Sequence, residues 1–84
     1  MNQKNIEIVK VNYQNYIEIT PGKRSGKPCL KGTRTSVYDV LGWLASGMTT
    51  QEIIDDYPEL AAHHIQSCLA YAADREHHSV IIAA

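Results

Sequence analysis

Residues 36–60 read SVYDVLGWLASGMTTQEIIDDYPEL, and two helix-start signals follow one another in this stretch. Ser36 with Asp39, and Thr49 with Glu52, have the spacing of a capping box. In a capping box each of the two side chains accepts a backbone N–H at the helix N-terminus, where the first N–H groups have no partner inside the helix. The stretch therefore predicts two short helices in succession.

Helix-end signals and a third apolar stripe complete this pattern. Gly47 fits the position just after a helix, and Pro58 ends the second helix because proline has no N–H. A third helix is predicted from residue 62 to residue 74 or 75, with its apolar residues spaced as on one helix face. These apolar residues are Ile65, Cys68, Leu69 and Ala72. The residues predicted to point outward are His63, Ser67, Ala70 and Asp74.

Before the helices, apolar and polar residues alternate as they do in short β-strands. The alternation covers residues 6–11 and 16–19, and the second stretch ends at the turn signal TPG. A further small hairpin or extended arm is predicted around Gly32, which supplies the positive φ of a tight turn. The predicted fold is mainly α: a three-helix, helix-turn-helix bundle preceded by a short β-hairpin arm.

The length of 84 residues predicts one domain with a modest core. We divide it into a β arm with a basic turn at 1–35, the helix-turn-helix bundle at 36–76, and an apolar tail at 77–84. The tail ends in SVIIAA, which is β-prone. It is predicted either to fray or to pair with an N-terminal strand of its own or of a neighbouring chain.

Charge is divided unevenly along the chain. Residues 1–36 hold seven Lys or Arg against two acids, a balance of +5. Residues 37–84 hold one Arg against seven acids, a balance of −6. A polyanion should therefore bind the first half, and a basic partner should bind the second.

The most basic stretch, residues 22–34, reads GKRSGKPCLKGTR and contains no acid. It does not match a phosphate-binding P-loop, because Thr33 stands where the lysine is required. Two interpretations remain open, a solvated turn and a contact with a nucleic-acid backbone. The residues predicted for nucleic-acid contact are Lys23, Arg24, Lys27, Lys31, Arg34 and, on the third helix, Gln66. The outward face of that helix has no arginine or lysine, the residues that most often read base edges.

Trp43 falls opposite the apolar face of the first helix, and an indole is not expected to remain in water there. It is predicted to pack on the N-terminal arm or on a second chain. Together with the tail it indicates a homo-oligomer. The residues predicted for a partner or oligomer interface are Trp43, Val80, Ile81 and Ile82.

We find no motif for catalysis, for a metal or for another cofactor. Asp55-Asp56 has no companion base or nucleophile, so a solvated helix face is the preferred interpretation. The pairs His63-His64 and His77-His78 lie about 21 Å apart along one helix, and neighbouring rings diverge by about 100°. The four histidines are therefore not expected to share one metal ion within a chain. Cys29 and Cys68 form no zinc or disulfide pattern and are expected to be reduced. No signal or membrane segment is evident.

Two blocks carry a resemblance to a known family. They are ITPGKRSGKPCLKGTRTSVYDVLGWLASGMTTQEIIDDYPEL at 19–60 and SCLAYAADRE at 67–76. Over about residues 16–76 the sequence resembles the bacterial domain-of-unknown-function family 433. The resemblance implies a homeodomain-like helix-turn-helix core, a β arm and a cytosolic location. It also implies an antitoxin of a toxin–antitoxin pair, with a PIN-like nuclease as partner, and gives no catalytic residues.

Three functions are therefore expected, none of them enzymatic. The first is a type II antitoxin that binds a PIN-like nuclease and operator DNA. The others are a self-associating structural or adaptor protein, and a stand-alone DNA-binding regulator. The sequence departs from the family at 61–64, where AAHH replaces the usual Thr or Ser followed by acids. The third helix is thus expected to lose an N-cap oxygen, at a cost of about 1 kcal/mol.

Overall fold

The computed structural model describes residues 12–83, with side chains through His77, and confirms a mainly helical fold behind a short hairpin. Its strands are β1 (Ile17–Glu18) and β2 (Cys29–Leu30). Its helices are α1 (Val37–Ala45), α2 (Thr50–Asp56) and α3 (Ala62–Ala83), and short 3-10 turns lie at Tyr13–Asn15 and Arg24–Gly26. The strand predicted at 6–11 lies outside the described residues.

The hairpin is antiparallel and pairs Ile17 with Leu30. Cys29 also forms an isolated bridge with Ser36, the N-cap of α1, so β2 is paired on both sides and a turn at residues 31–35 separates it from that helix. The turn predicted around Gly32 is present, with φ +77° at the glycine. Short as it is, this ladder fixes the start of α1 against the arm.

Both capping boxes form as predicted. In α1, Asp39 N–H donates to Ser36 Oγ at 2.9 Å, and Ser36 N–H donates to Asp39 Oδ2 at 3.1 Å. In α2, the same exchange joins Thr49 and Glu52 at 3.1 and 2.8 Å. Gly47 follows α1 with φ +105°, a backbone conformation that only glycine adopts readily.

The third helix is longer than predicted. It runs to Ala83 instead of ending at residue 74 or 75, so the prediction that the tail frays or forms a strand is wrong for residues 79–83. No glycine or proline interrupts the sequence after Asp74, and each further helical residue adds one hydrogen bond. The predicted interface residues Val80, Ile81 and Ile82 lie in this extension, and their side chains are outside the described part.

The core joins all five elements around α3. Its members are Ile17, Leu30, Val37, Val40, Ile53, Leu60, Ile65 and Cys68. The predicted faces of α3 need correction, because Ser67 and Ala70 are buried and Leu69 is half exposed at 49%. Tyr13 and Tyr16 of the arm pack on α3 from a second side, which widens its buried face beyond one stripe. Ser67 satisfies its hydroxyl by donating to the His63 carbonyl at 2.8 Å.

Candidate binding surfaces

The basic loop, residues 22–34, is anchored to α1 by Arg24. Its guanidinium pairs with Asp39 Oδ2 at 3.1 Å and also donates to the Arg34 carbonyl. Burial alone would raise the pKa of the Asp39 carboxyl, but the Ser36 N–H and the Arg24 guanidinium outweigh it and lower that pKa below its ordinary value. Arg24, predicted to contact nucleic acid, is therefore committed to holding the loop.

The backbone at this anchor is left-handed at three successive residues. Arg24, Ser25 and Gly26 have φ of 49°, 59° and 78°. For residues with a Cβ this conformation costs roughly 1–2 kcal/mol each. The two contacts of Arg24 offset that cost. A sequence pattern does not indicate left-handed backbone at an arginine and a serine, so this anchor was not predicted.

The other four cations of the loop differ in their surroundings. Lys23 pairs with Glu18 at 3.3 Å. Lys27, Lys31 and Arg34 are exposed and make no ion pair with the described residues. Three of the five predicted loop contacts thus remain available to an anion.

A surface of opposite charge, the acidic patch, lies on α2 and on the turn before it. Glu52, Asp55 and Asp56 are exposed and line a shallow concavity of about 430 Å³ together with Ser46, Gly47 and Met48. From Thr35 to Asp74 the sequence contains no lysine or arginine. The sequence suggested only a solvated face here; the concave shape comes from the tight turn between α1 and α2.

A second concavity, the tyrosine groove, has a volume of about 530 Å³. Tyr38 of α1 and Tyr71 of α3 line it, and each ring is next to a cation: Lys27 Nζ lies 5.4 Å from the Tyr38 centroid, and the Arg75 guanidinium 5.5 Å from that of Tyr71. The remaining lining residues are Pro28, Val37, Leu41, Ala72 and Glu76. Sequence reasoning missed this groove, because it joins a loop to two helices that are distant in the chain.

The start of α3 has a cap that the sequence did not predict. His64 Nδ1 accepts the Ala61 N–H at 2.9 Å, as the third residue of a capping box does, so the expected loss of a cap is partly made good. His64 turns back to do this, and its ring lies 4.2 Å from that of His63 instead of diverging. Burial, and then the neighbouring His63, lower the pKa of His64.

Two further predicted contact residues occupy different positions. Gln66 is exposed on α3, but Tyr16 packs on the His63 ring one turn away, at 4.7 Å between centroids. Trp43 stacks on Tyr57 of its own chain at 4.3 Å and 11°. The indole is thus covered by the turn after α2, where the N-terminal arm or a second chain was predicted. A role for Trp43 in an oligomer stays a prediction.

Comparison with known proteins identifies a family and a solved structure that share this architecture. A family model described as "Protein of unknown function (DUF433)" matches residues 17–72, from β1 into α3. The chain belongs to the DUF433 family. The crystal structure of a DUF433 member protein from Anabaena variabilis ATCC 29413, at 2.00 Å resolution, is similar with a TM-score of 0.69 and 26% identity. The similarity covers 98% of this chain and 81% of that one.

A sequence relative is the uncharacterized protein y4eO of Sinorhizobium fredii (strain NBRC 101917 / NGR234), which is 34% identical over 53 residues. The match covers 63% of this DUF433 chain and 24% of that protein, so the chain spans about a quarter of its relative's length. The matched family residues include the basic loop and the acidic patch, but they end before Arg75 and Glu76 of the tyrosine groove. Among the described residues no helix is long and apolar enough to cross a membrane.

Proposed function

We propose that this DUF433 protein is a non-enzymatic binding module, the antitoxin of a type II pair, whose acidic patch binds a PIN-like nuclease. One observation carries the proposal: Glu52, Asp55 and Asp56 converge on a concave surface in a stretch of sequence without lysine or arginine. Electrostatic complementarity of this kind steers association and selects a basic partner.

Two of the three carboxylates of the patch accept hydrogen bonds from within the chain. Glu52 is fixed by its bond to the Thr49 N–H, and Asp55 accepts from Gln51 at 2.8 Å. Fixed carboxylates lose little side-chain freedom when a partner arrives, which favours binding. Such a surface is suited to covering the cationic substrate site of a nuclease, and this blocks the site without any reaction.

The test is co-purification with the product of the adjacent reading frame, which the proposal expects to encode a PIN-like nuclease. The triple variant E52Q/D55N/D56N removes the charge and keeps hydrogen-bond acceptors at all three positions. We expect a stable complex on size exclusion for the natural chain and a complex weakened by at least tenfold for the variant. The matched control K27Q/K31Q/R34Q removes as many charges from the basic loop and should bind normally. An intact complex in the triple variant contradicts the proposal.

A second candidate function is contact with operator DNA through the basic loop, and the exposed Lys27, Lys31 and Arg34 support it. Three phosphate contacts predict that affinity falls roughly 40-fold between 50 and 200 mM salt. K31Q/R34Q should lower the slope of log affinity against log salt by the amount expected for about two phosphate contacts. Affinity that does not change with salt argues against this role. Helix α3 favours it less, since among its described side chains only Gln66 and Arg75 are of the Arg, Lys, Asn or Gln types that usually read base edges.

The third candidate, self-association through the apolar end of α3, is tested by sedimentation of the chain alone.

We propose that the protein is located in the cytosol. The two thiols support a reducing compartment, since Cys29 and Cys68 are both free and buried.

A further inference from the structure

The geometry points to a second binding function: the tyrosine groove binds an unpaired base and its neighbouring phosphates in a single-stranded nucleic acid. This site is separate from the acidic patch that we assign to the nuclease. The proposal depends on three features of the groove, namely an open aromatic face, cations beside the rings and a preorganised wall.

The open aromatic face belongs to Tyr38. Its side chain is 72% exposed, although it stands on the first turn of α1 beside the buried Val37. Lys27 Nζ lies over one face of the ring at 5.4 Å from its centroid, and the high exposure of Tyr38 leaves most of the ring accessible. Base stacking on an exposed ring contributes about 1–3 kcal/mol per base and tolerates any sequence.

The cations supply charge complementarity to a phosphate backbone. Lys27 and Arg75 line the groove against a single acid, Glu76. Lys31 and Arg34 continue the exposed positive charge along the loop from Lys27. Aromatic rings next to a basic track are the combination with which proteins bind single strands.

The wall formed by Tyr71 is fixed before any ligand arrives. Its ring meets Tyr13 edge to face at 5.4 Å, and Tyr13 OH donates to Asp74 Oδ2 at 2.5 Å. Arg75 lies 5.5 Å from the Tyr71 centroid, with its Nη1 at 3.4 Å from the hydroxyl. A rigid wall lowers the entropy cost of binding.

The shape of the site distinguishes a single strand from two other anionic partners. In a duplex the bases are stacked inside, so a protein groove meets mainly phosphates and the exposed Tyr38 gains little. An acidic peptide would use Lys27 and Arg75, but it would leave the open ring without a planar partner. The groove volume of about 530 Å³ accommodates a flat base between its walls.

The experiment is fluorescence anisotropy of a labelled oligothymidylate and a labelled oligouridylate, each of about ten nucleotides. We expect Y38A to weaken binding at least fivefold, about the loss of one stacked base. Y38F, which keeps the ring and removes the hydroxyl, should bind like the natural chain. K27Q and R75Q should weaken binding and reduce its salt dependence, whereas E76Q should strengthen it.

L69A, which removes an exposed apolar side chain outside the groove, is the control and should bind normally. Circular dichroism verifies that each variant is folded, and Y38A should retain its complex with the nuclease. Absence of strand binding at low salt would overturn the inference. So would unchanged affinity in Y38A, equal affinity for a duplex of the same sequence, or full displacement of the strand by an equimolar acidic peptide.

Discussion

The capping boxes of α1 and α2 use the same chemistry in different electrostatic surroundings. Asp39 closes the first box and also receives Arg24 from the basic loop, so its charge is neutralised within the chain. Glu52 closes the second box and lines a concave surface together with Asp55 and Asp56. The first capping box therefore also joins the basic loop to α1, whereas the second leaves its acidic surface exposed.

The largest effect is expected from the contact that joins the two capped helices. Trp43 stacks on Tyr57, and W43A should lower the free energy of unfolding by about 3 kcal/mol, the lower end for a truncated core tryptophan, because the indole is only half buried. Urea denaturation followed by circular dichroism measures this. A single transition in both chains would show that the two boxes belong to one cooperative unit. A change below about 1 kcal/mol would mean that the helices hold together without the stack.

The next largest effect on the free energy of unfolding is expected from D39A, which should exceed the effect of E52A. D39A removes a cap and the Arg24 ion pair and should cost about 2 kcal/mol, whereas E52A removes a cap alone and should cost about 1 kcal/mol. Urea denaturation of both variants gives the difference. The cycle R24A, D39A and R24A/D39A isolates the ion pair, for which a positive coupling energy is expected. Equal costs for the two alanine variants would remove the distinction between the boxes.

Falling pH should weaken two helix caps in separate ranges, because α3 is capped by a histidine, His64, and α1 by a carboxylate, Asp39. The neutral form of His64 is favoured in the fold, so its contribution to stability is complete above its ordinary pKa of 6.5 and is lost as the pH falls below it. The pKa of Asp39 is lowered, so its contribution persists above 3.8 and is lost below that value. Thermal unfolding between pH 7.5 and 3 resolves the two windows.

The variant for this experiment is H64Q, since glutamine can accept the Ala61 N–H at every pH. It should abolish the loss of stability near pH 6, and the control H77Q should not. Persistence of that loss in H64Q would assign it to another group.

The smallest effect is expected from E52Q. Glutamine completes a capping box as glutamate does, so the free energy of unfolding should change by less than about 0.5 kcal/mol. The same variant should weaken nuclease binding. Thermal unfolding and size exclusion on one preparation would therefore separate the structural use of the side chain from its use at the surface.

What the sequence predicted was mostly local. Ser36 with Asp39, Thr49 with Glu52, and Gly47 are determined by neighbours within one turn of helix, and all were placed correctly. The basic loop was visible from composition alone. Which of its cations are neutralised was not, because the partner of Arg24 stands fifteen residues away and is brought near by the fold.

The errors have a common physical origin in packing from a second direction. Ser67 and Ala70 lie off the stripe that a single helix face predicts, and both are buried on a helix that the tyrosines of the arm also contact. The stack of Trp43 on Tyr57 and the tyrosine groove likewise depend on how loops return to the helices. Periodicity describes one element at a time, and these sites lie between elements.

The two buried thiols make local unfolding of this chain measurable by their rates of alkylation. Cys29 is 1% exposed beside α1, and Cys68 is fully buried on α3, where burial raises its pKa to about 12. An alkylating reagent reaches either sulfur only while the surrounding element is open. The two alkylation rates therefore report separately on the fastening of the loop and on the long helix, in the natural sequence and without an added probe.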